Sequence, residues 1–139
     1  MLRCAEMLGG MRQVLDMTLV YVKERHQFGR ALGAFQSVQH HCADIATCLE
    51  TSRLIAYQAA ACVSEGGVCR KEIAMAKAWC SEAYRKSTWA AHQVHGGMGF
   101  TEEYDLHLYY RHAKELELTF GDSRLHREVV GDEMGLFTS

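Results

Sequence analysis

The sequence predicts an all-α protein, an up-down four-helix bundle with a C-terminal helical extension. Three observations lead to this fold: apolar residues recur every three or four positions, proline is absent, and glycines cluster between the periodic segments. Because no proline interrupts them, the helices can run long. Long helices joined by short loops pack as antiparallel neighbours, which is the arrangement of an up-down bundle.

Helical periodicity is clearest in the first two segments of the chain. Residues three or four apart fall on one face of a helix, so each segment predicts a helix with one buried face. The apolar positions are, in the first segment, Leu8, Met11, Leu15, Leu19 and Val22, and, in the second, Val38, Cys42, Ile45, Leu49 and Ile55.

The remaining helices are indicated by composition and by their first residues. Residues 69–94 are rich in alanine, which favours helix and lets neighbouring helices approach closely. Residues 102–115 open on two glutamates, and acidic residues suit a helix N-terminus. A last helix is expected to begin near Asp122 or Ser123, since either side chain can cap it.

Composition indicates one domain, residues 1–139, and excludes several kinds of partner. Hydrophobic residues make up 48%, which suffices for one core. The formal net charge of −2 lacks the basic excess of a nucleic-acid-binding surface. No apolar run is long enough for a membrane span, and the first residues lack the apolar stretch of a secretory signal.

The cysteines and histidines do not follow a metal-site pattern. The six cysteines form no CxxC pair and fall mostly in helical segments, so we expect reduced, buried thiols rather than disulfides. Neither His40–His41 nor the pair His92 and His95 has the i, i+4 spacing of helical zinc ligands, so no metal is expected.

Four short motifs go beyond a generic bundle. Residues 21–29 read YVKERHQFG and are followed by AFQSVQH, residues 93–100 read QVHGGMGF, and YRHA and GDSRLHR follow downstream. They resemble the YxxxRxxFG…FQxxQ, QxxGGxGY, YRDA and GTSxxxR patterns of the acyl-CoA dehydrogenase family. Because the four lie in register from about residue 2 to 130, the chain resembles the C-terminal helical domain of that FAD-dependent family.

The chemistry of these motif residues suits a dinucleotide. An arginine fork at Arg25 matches a pyrophosphate, and Phe28 offers an apolar ring to an adenine. Gln36 and Gln93 can each donate and accept a hydrogen bond, as an adenine or ribose edge requires. Glycines in the 96–97 pair have no Cβ, so their backbone can approach a phosphate closely.

The resemblance implies a site shared between subunits. In this family the bundle forms the core of a homodimer or homotetramer and contacts the ADP half of an FAD held mainly by a neighbouring subunit. The family's N-terminal helical and middle β-domains are absent from this chain. By position the contacts to the neighbour's FAD would come from Arg25, Phe28, Gln36, Gln93, Val94 and Gly97, and those within the subunit from Asp122 and Ser123.

The family's usual catalytic base is missing. A carboxylate must take the α-proton of the acyl-CoA thioester, yet the corresponding position holds Phe120, which cannot accept a proton. Some members carry this glutamate on the first helix instead, about one residue before Met1, and Glu6 lies about two turns further along. Asp122 is another candidate base. The third alternative is a chain that does not catalyse dehydrogenation.

These observations lead to three functional hypotheses. The first is a domain of an acyl-CoA dehydrogenase acting on an acyl-CoA substrate in fatty-acid or related oxidation. The second is a non-catalytic assembly subunit of the same fold, and the third is an unrelated structural four-helix bundle. Under the first two hypotheses, the expected location is the cytoplasm in a bacterium and the mitochondrion or peroxisome in a eukaryote.

Overall fold

The computed structural model describes residues 1–136, and five α-helices carry its architecture. The all-α prediction is thereby confirmed, with the last helix as the extension. The helices are α1 (Leu2–Glu24), α2 (Gln36–Ser64), α3 (Arg70–His95), α4 (Leu106–Leu118) and α5 (Ser123–Glu133). A hairpin of two-residue strands, β1 (His26–Gln27) and β2 (Arg30–Ala31), joins α1 to α2, and short 3-10 segments cover Leu32–Ala34 and Gly96–Phe100.

Helix α3 lies at the centre and packs against all four other helices. Its buried face consists mainly of alanines, serines and Cys80, so neighbouring backbones can come close, as the alanine-rich composition predicts. The largest fully buried side chain, Tyr84, also belongs to α3, and the surrounding helices supply most of the other large core residues. Fully buried large side chains include Met7, Met11, Ile45 and Leu106.

The predicted apolar faces are only partly the buried ones. Among the ten predicted positions, Met11, Val22, Ile45 and Leu49 are buried, and the other six are half-buried. Leu15 and Leu19 lie at the edge of the core, because the buried face of α1 is formed by Cys4, Met7, Gly10, Met11, Val14, Thr18 and Val22. The apolar pattern predicted the helix correctly, but the face that it predicted to be buried is displaced by about one residue from the observed one.

Helix α4 begins later than predicted, at Leu106, and the two glutamates Glu102 and Glu103 lie exposed before it. The 3-10 segment after α3 ends in an extended Thr101 with ψ of 151°, which interrupts the helical path. Helix α5 does begin at Ser123, with Asp122 as its N-cap.

A disulfide joins Cys62 to Cys69, which corrects the expectation that all thiols are reduced. The pair spans the short connection between α2 and α3, where the turn brings their Cα atoms within 5.9 Å, a separation that a disulfide can bridge. Spacing in the sequence could not show this proximity. The other four cysteines are free, and Cys4 and Cys80 are buried among them.

Candidate functional site

The segment after α1 forms an exposed loop that ends at α2. Arg25 caps α1, and its carbonyl accepts a hydrogen bond of 2.8 Å from the Leu32 amide. The hairpin turn is made by Phe28 and Gly29, which both have positive φ, at 53° and 79°. As a result the Phe28 ring is 90% exposed. The exposed Gln36 is the first residue of α2, where the helix dipole favours a negatively charged ligand.

A second cation on this loop was missed by the sequence reasoning. The guanidinium of Arg30 lies 4.0 Å from the centre of the Phe35 ring, and the Phe28 ring meets the Phe35 ring edge-on at 6.1 Å. The sequence does contain two arginines five residues apart, Arg25 and Arg30, and this spacing could have indicated a second cation. The loop therefore combines two cations, an exposed aromatic ring and a helix N-terminus.

The glycine motif lies beyond the end of α3. Gln93 is exposed on the last helical turn, whereas the Val94 side chain is buried, so Val94 offers only its backbone to a ligand. Gly96 has a φ of 58° and ends the helix. A Cβ at Gly96 or at Gly97 would meet no atom within 4 Å, so the backbone there is open to a ligand.

A stacked pair joins the two motifs at one end of the bundle. The ring of Tyr21 lies on that of His95 with centroids 4.2 Å apart, and the Tyr21 hydroxyl donates to the His95 carbonyl at 3.4 Å. Tyr21 precedes Arg25 by one helical turn, and His95 precedes the glycine pair directly. The loop and the glycine turn are thus held at the same end of the bundle.

His95 leads to a testable pH dependence of stability. Its Nδ1 donates to the Ala91 carbonyl at 2.8 Å, and its Nε2 lies 3.2 Å from the Tyr104 hydroxyl. Burial lowers the pKa of His95. The unfolded chain therefore binds this proton at a higher pH than the folded chain, and the free energy of unfolding falls as pH drops below about 6.5. Urea unfolding of His95→Gln between pH 7 and 5 should show a smaller loss than wild type.

The exposed His40 provides the matched control for this measurement. His40→Gln should keep the wild-type pH dependence. An equal loss of stability in wild type and His95→Gln would contradict the assignment of the effect to this ring.

The residue at the usual base position lies at the opposite end. Phe120 has a φ of 62°, Gly121 a φ of 97°, and the Phe120 ring is 78% exposed. It borders a cleft of about 350 Å³ that is also lined by the N-terminal residues of α1, by Lys77 and by His126. Lys77 and His126 were not singled out in the sequence, although a lone lysine within an alanine-rich helix face was a usable signal.

Asp122 and Ser123 have local structural partners. The Asp122 carboxylate accepts a hydrogen bond of 2.9 Å from the Leu125 amide, which holds the pKa of that carboxyl below its usual range. The Ser123 hydroxyl donates to the Ala78 carbonyl at 3.3 Å. Glu6 is exposed and forms an ion pair with Arg3 at 2.6 Å.

The two ends of the bundle are far apart. Helix α1 has 23 residues, so at 1.5 Å per residue its ends lie roughly 35 Å from each other. The candidate FAD contacts thus divide into a loop-and-glycine end and a Phe120 end. Within residues 1–136, no helix is long and apolar enough to cross a membrane, and no three metal-ligating side chains lie together.

Comparison with known proteins establishes the family. Residues 1–135 match the family described as acyl-CoA dehydrogenase, C-terminal domain. The mitochondrial short/branched chain specific acyl-CoA dehydrogenase of Rattus norvegicus is 37% identical over 126 residues, 91% of this chain and 29% of that protein. Acryloyl-CoA reductase (NADH) of Anaerotignum propionicum is 36% identical over 130 residues, 94% of this chain and 33% of that protein.

Solved structures agree with this assignment. The FAD complex of PigA superposes with a TM-score of 0.93 at 32% identity over 97% of this chain and 35% of that one. Butyryl-CoA dehydrogenase from Megasphaera elsdenii gives 0.92 at 32% identity over 95% and 34%. The chain therefore belongs to the acyl-CoA dehydrogenase family and corresponds to its C-terminal domain. It spans about a third of the length of these relatives, and the hypothesis of an unrelated bundle is wrong.

Proposed function

We propose that this chain is the C-terminal domain of an FAD-dependent acyl-CoA dehydrogenase, where it contacts FAD and forms part of the oligomer core. The observation that carries the proposal is the division of the motif residues between two ends of one bundle, roughly 35 Å apart. One FAD molecule bound along a neighbouring chain would use the first end, and one bound within the same chain would use the second.

The residues of the first end fit the ADP half of FAD. A pyrophosphate needs cations and N–H donors, which the exposed Arg25, the N-terminus of α2 and the open glycine backbone supply. Phe28 offers an exposed ring face to an adenine. The amides of Gln36 and Gln93 are exposed and can pair with a base or a ribose. Gly97 leaves room for a phosphate, and Val94 contributes through its backbone.

At the second end, Asp122 and Ser123 would contact FAD of the same subunit. Their side chains already cap α5 and bond to α3, so we assign the contact to the start of α5 as a whole. One chain cannot bring its own two ends to a single FAD molecule, so a complete FAD site needs one end from each of two chains. This supports a homodimer or homotetramer. Exposed apolar side chains on α2 and α3 supply area for such contacts: Leu54, Tyr57 and Trp89.

The reaction proposed for the complete protein is α,β-dehydrogenation of an acyl-CoA thioester. FAD supplies the hydride acceptor when it is bound. This chain supplies the frame around the reacting carbons, but Phe120 cannot take the α-proton. Glu6 is paired with Arg3 on the surface and Asp122 caps α5, so each is a weaker candidate base. For a dehydrogenase we therefore favour a carboxylate from residues outside this chain.

A second candidate function follows from the same residue. Phe120 at the base position favours a non-catalytic assembly subunit that retains FAD contacts and the oligomer core. Under either function, we place the protein in the cytoplasm of a bacterium, or in the mitochondrion or peroxisome of a eukaryote.

Binding of FAD tests the proposal in the complete polypeptide. We expect a yellow protein with flavin absorbance, and Arg25→Ala should raise the dissociation constant for FAD about 10- to 100-fold, because a charged hydrogen bond is lost. Lys23→Ala is the control, since Lys23 is an exposed cation on the last turn of the same helix. A flavin-free protein, or equal affinities in the two variants, would contradict the proposal.

A further inference from the structure

A buried lysine lies beneath the turn that carries Phe120. Lys77, on α3, is only 5% exposed. Its Nζ donates to the Gly121 carbonyl at 2.9 Å, to the Glu117 carbonyl at 3.1 Å and to the Ser81 hydroxyl at 3.1 Å. An ammonium has three donors, so the site satisfies all of them.

The ammonium of this lysine contacts two carbonyl oxygens and one hydroxyl directly, and the charges of Glu117 and Asp122 also favour its charged form. Within residues 1–136, Lys77 forms no ion pair with a carboxylate inside 4 Å. The Glu117 carbonyl belongs to the last turn of α4, whose C-terminal end is the negative end of the helix dipole. Loss of water around the ammonium lowers the pKa of Lys77. A buried cation is costly to desolvate, and this one binds the Glu117 carbonyl at the end of α4 and the Gly121 carbonyl of the turn that follows.

The turn itself needs such support. Phe120 has a positive φ of 62°, which is unfavourable for a residue with a side chain. Gly121 follows with a φ of 97°, a backbone conformation that residues with a Cβ rarely adopt, so this position favours glycine. A second side chain holds the preceding carbonyl, since His126 Nε2 lies 3.0 Å from the Phe120 oxygen. Adjacent carbonyls are thus held by groups from α3 and α5.

We propose that Lys77, assisted by His126, is a positioning residue that presents the side chain at position 120 to the cleft bounded by the N-terminal end of α1. The three residues line this cleft together with Cys4. The proposal rests on the proposed function, in which position 120 faces the reacting carbons. It means that the frame for a catalytic base is retained although the carboxylate is absent.

The contacts that hold the Phe120–Gly121 turn use backbone carbonyl oxygens and do not involve the side chain at position 120. Lys77 binds the Gly121 carbonyl and His126 binds the Phe120 carbonyl, and neither contact uses the Phe120 ring. Substituting position 120 should therefore leave both contacts in place. Removing the ammonium of Lys77 should release the turn whatever residue position 120 holds.

Hydrogen–deuterium exchange on the complete polypeptide tests the positioning role directly. In Lys77→Met, the amides of residues 119–122 should exchange with solvent about tenfold faster or more than in wild type, while the amides of α3 stay protected. Lys71→Met is the matched control on α3, where the side chain is 45% exposed, and its exchange in this turn should equal wild type. Should Lys77→Met fail to fold, Lys77→Gln keeps an uncharged NH₂ group with two N–H donors and should give an intermediate rate. Wild-type exchange in a folded variant would overturn the proposal.

Kinetics then separate this role from the proposed function. In the Phe120→Glu background, Lys77→Met should lower kcat with little change in KM, and Lys77→Arg should restore part of kcat because it keeps the charge. Equal kcat in the presence and absence of Lys77 would overturn the positioning role. Faster exchange without dehydrogenation in any variant would leave the positioning role standing and refute the proposed function.

Discussion

Replacing Gly10 by alanine should destabilise the bundle by about 1–3 kcal/mol, because it overpacks a filled core. A Cβ at Gly10 would overlap the hydroxyl and Cζ of Tyr84 and lie 3.0 Å from its Cε2. Tyr84 is fully buried at the centre of α3, and its hydroxyl lies 3.4 Å from His112 Nδ1. The ring therefore cannot move aside without opening the contact between α1 and α3. Urea unfolding followed by circular dichroism measures the loss.

The neighbouring Gly9 supplies the matched control. It lies in the same helix and is exposed, and a Cβ there would meet no atom within 4 Å. Gly9→Ala should stabilise the protein by about 0.5–1 kcal/mol, since alanine loses less backbone entropy in a helix. Tyr84→Phe should recover part of the loss in Gly10→Ala, because it removes the hydroxyl that the new methyl group meets. Similar stabilities for the two alanine variants would show that the Gly10 site can relax.

The contact between Gly10 and Tyr84 marks the limit of what the sequence predicts. Spacing of apolar residues identifies the helices, because period and burial are linked in any helix. It does not identify which small residue meets which ring, since that depends on how α1 and α3 approach each other. The late start of α4 was not predicted for a similar reason. The backbone at Thr101 is extended, and the residues before it do not indicate a break in the helix.

For the candidate site, the motifs indicate which residues to consider, and the packing of the helices decides where each of them lies. Arg25 and Phe28 are exposed on one loop, as a ligand-binding role requires, whereas the Val94 side chain is buried. The separation of the two ends and the bonds of Lys77 follow from the packing of helices distant in sequence. The disulfide between Cys62 and Cys69 likewise depends on a turn geometry that spacing alone does not define.

If the protein is the assembly subunit without a catalytic base, introducing a glutamate at position 120 should raise the rate of acyl-CoA-dependent FAD reduction in the complete protein by roughly 10²–10⁴-fold, the usual contribution of a general base. Phe120 already occupies the left-handed conformation, and its ring borders the cleft. Glutamate pays the same backbone cost as phenylalanine there, so the change should affect the chemistry more than the fold. Stopped-flow flavin bleaching with an acyl-CoA provides the measurement.

Phe120→Gln is the control, because glutamine has the size and polarity of glutamate without a group that accepts the proton. If the wild-type protein bleaches its flavin as fast as Phe120→Glu, a carboxylate outside this chain already acts as the base, and the assembly-subunit hypothesis fails. If flavin bleaching is slow in wild type and fast in Phe120→Glu, the turn that Lys77 holds at Gly121 is correctly placed for catalysis and lacks only a carboxylate at position 120. If Phe120→Gln matches Phe120→Glu, the gain comes from polarity in the cleft, and position 120 is not the site of the base.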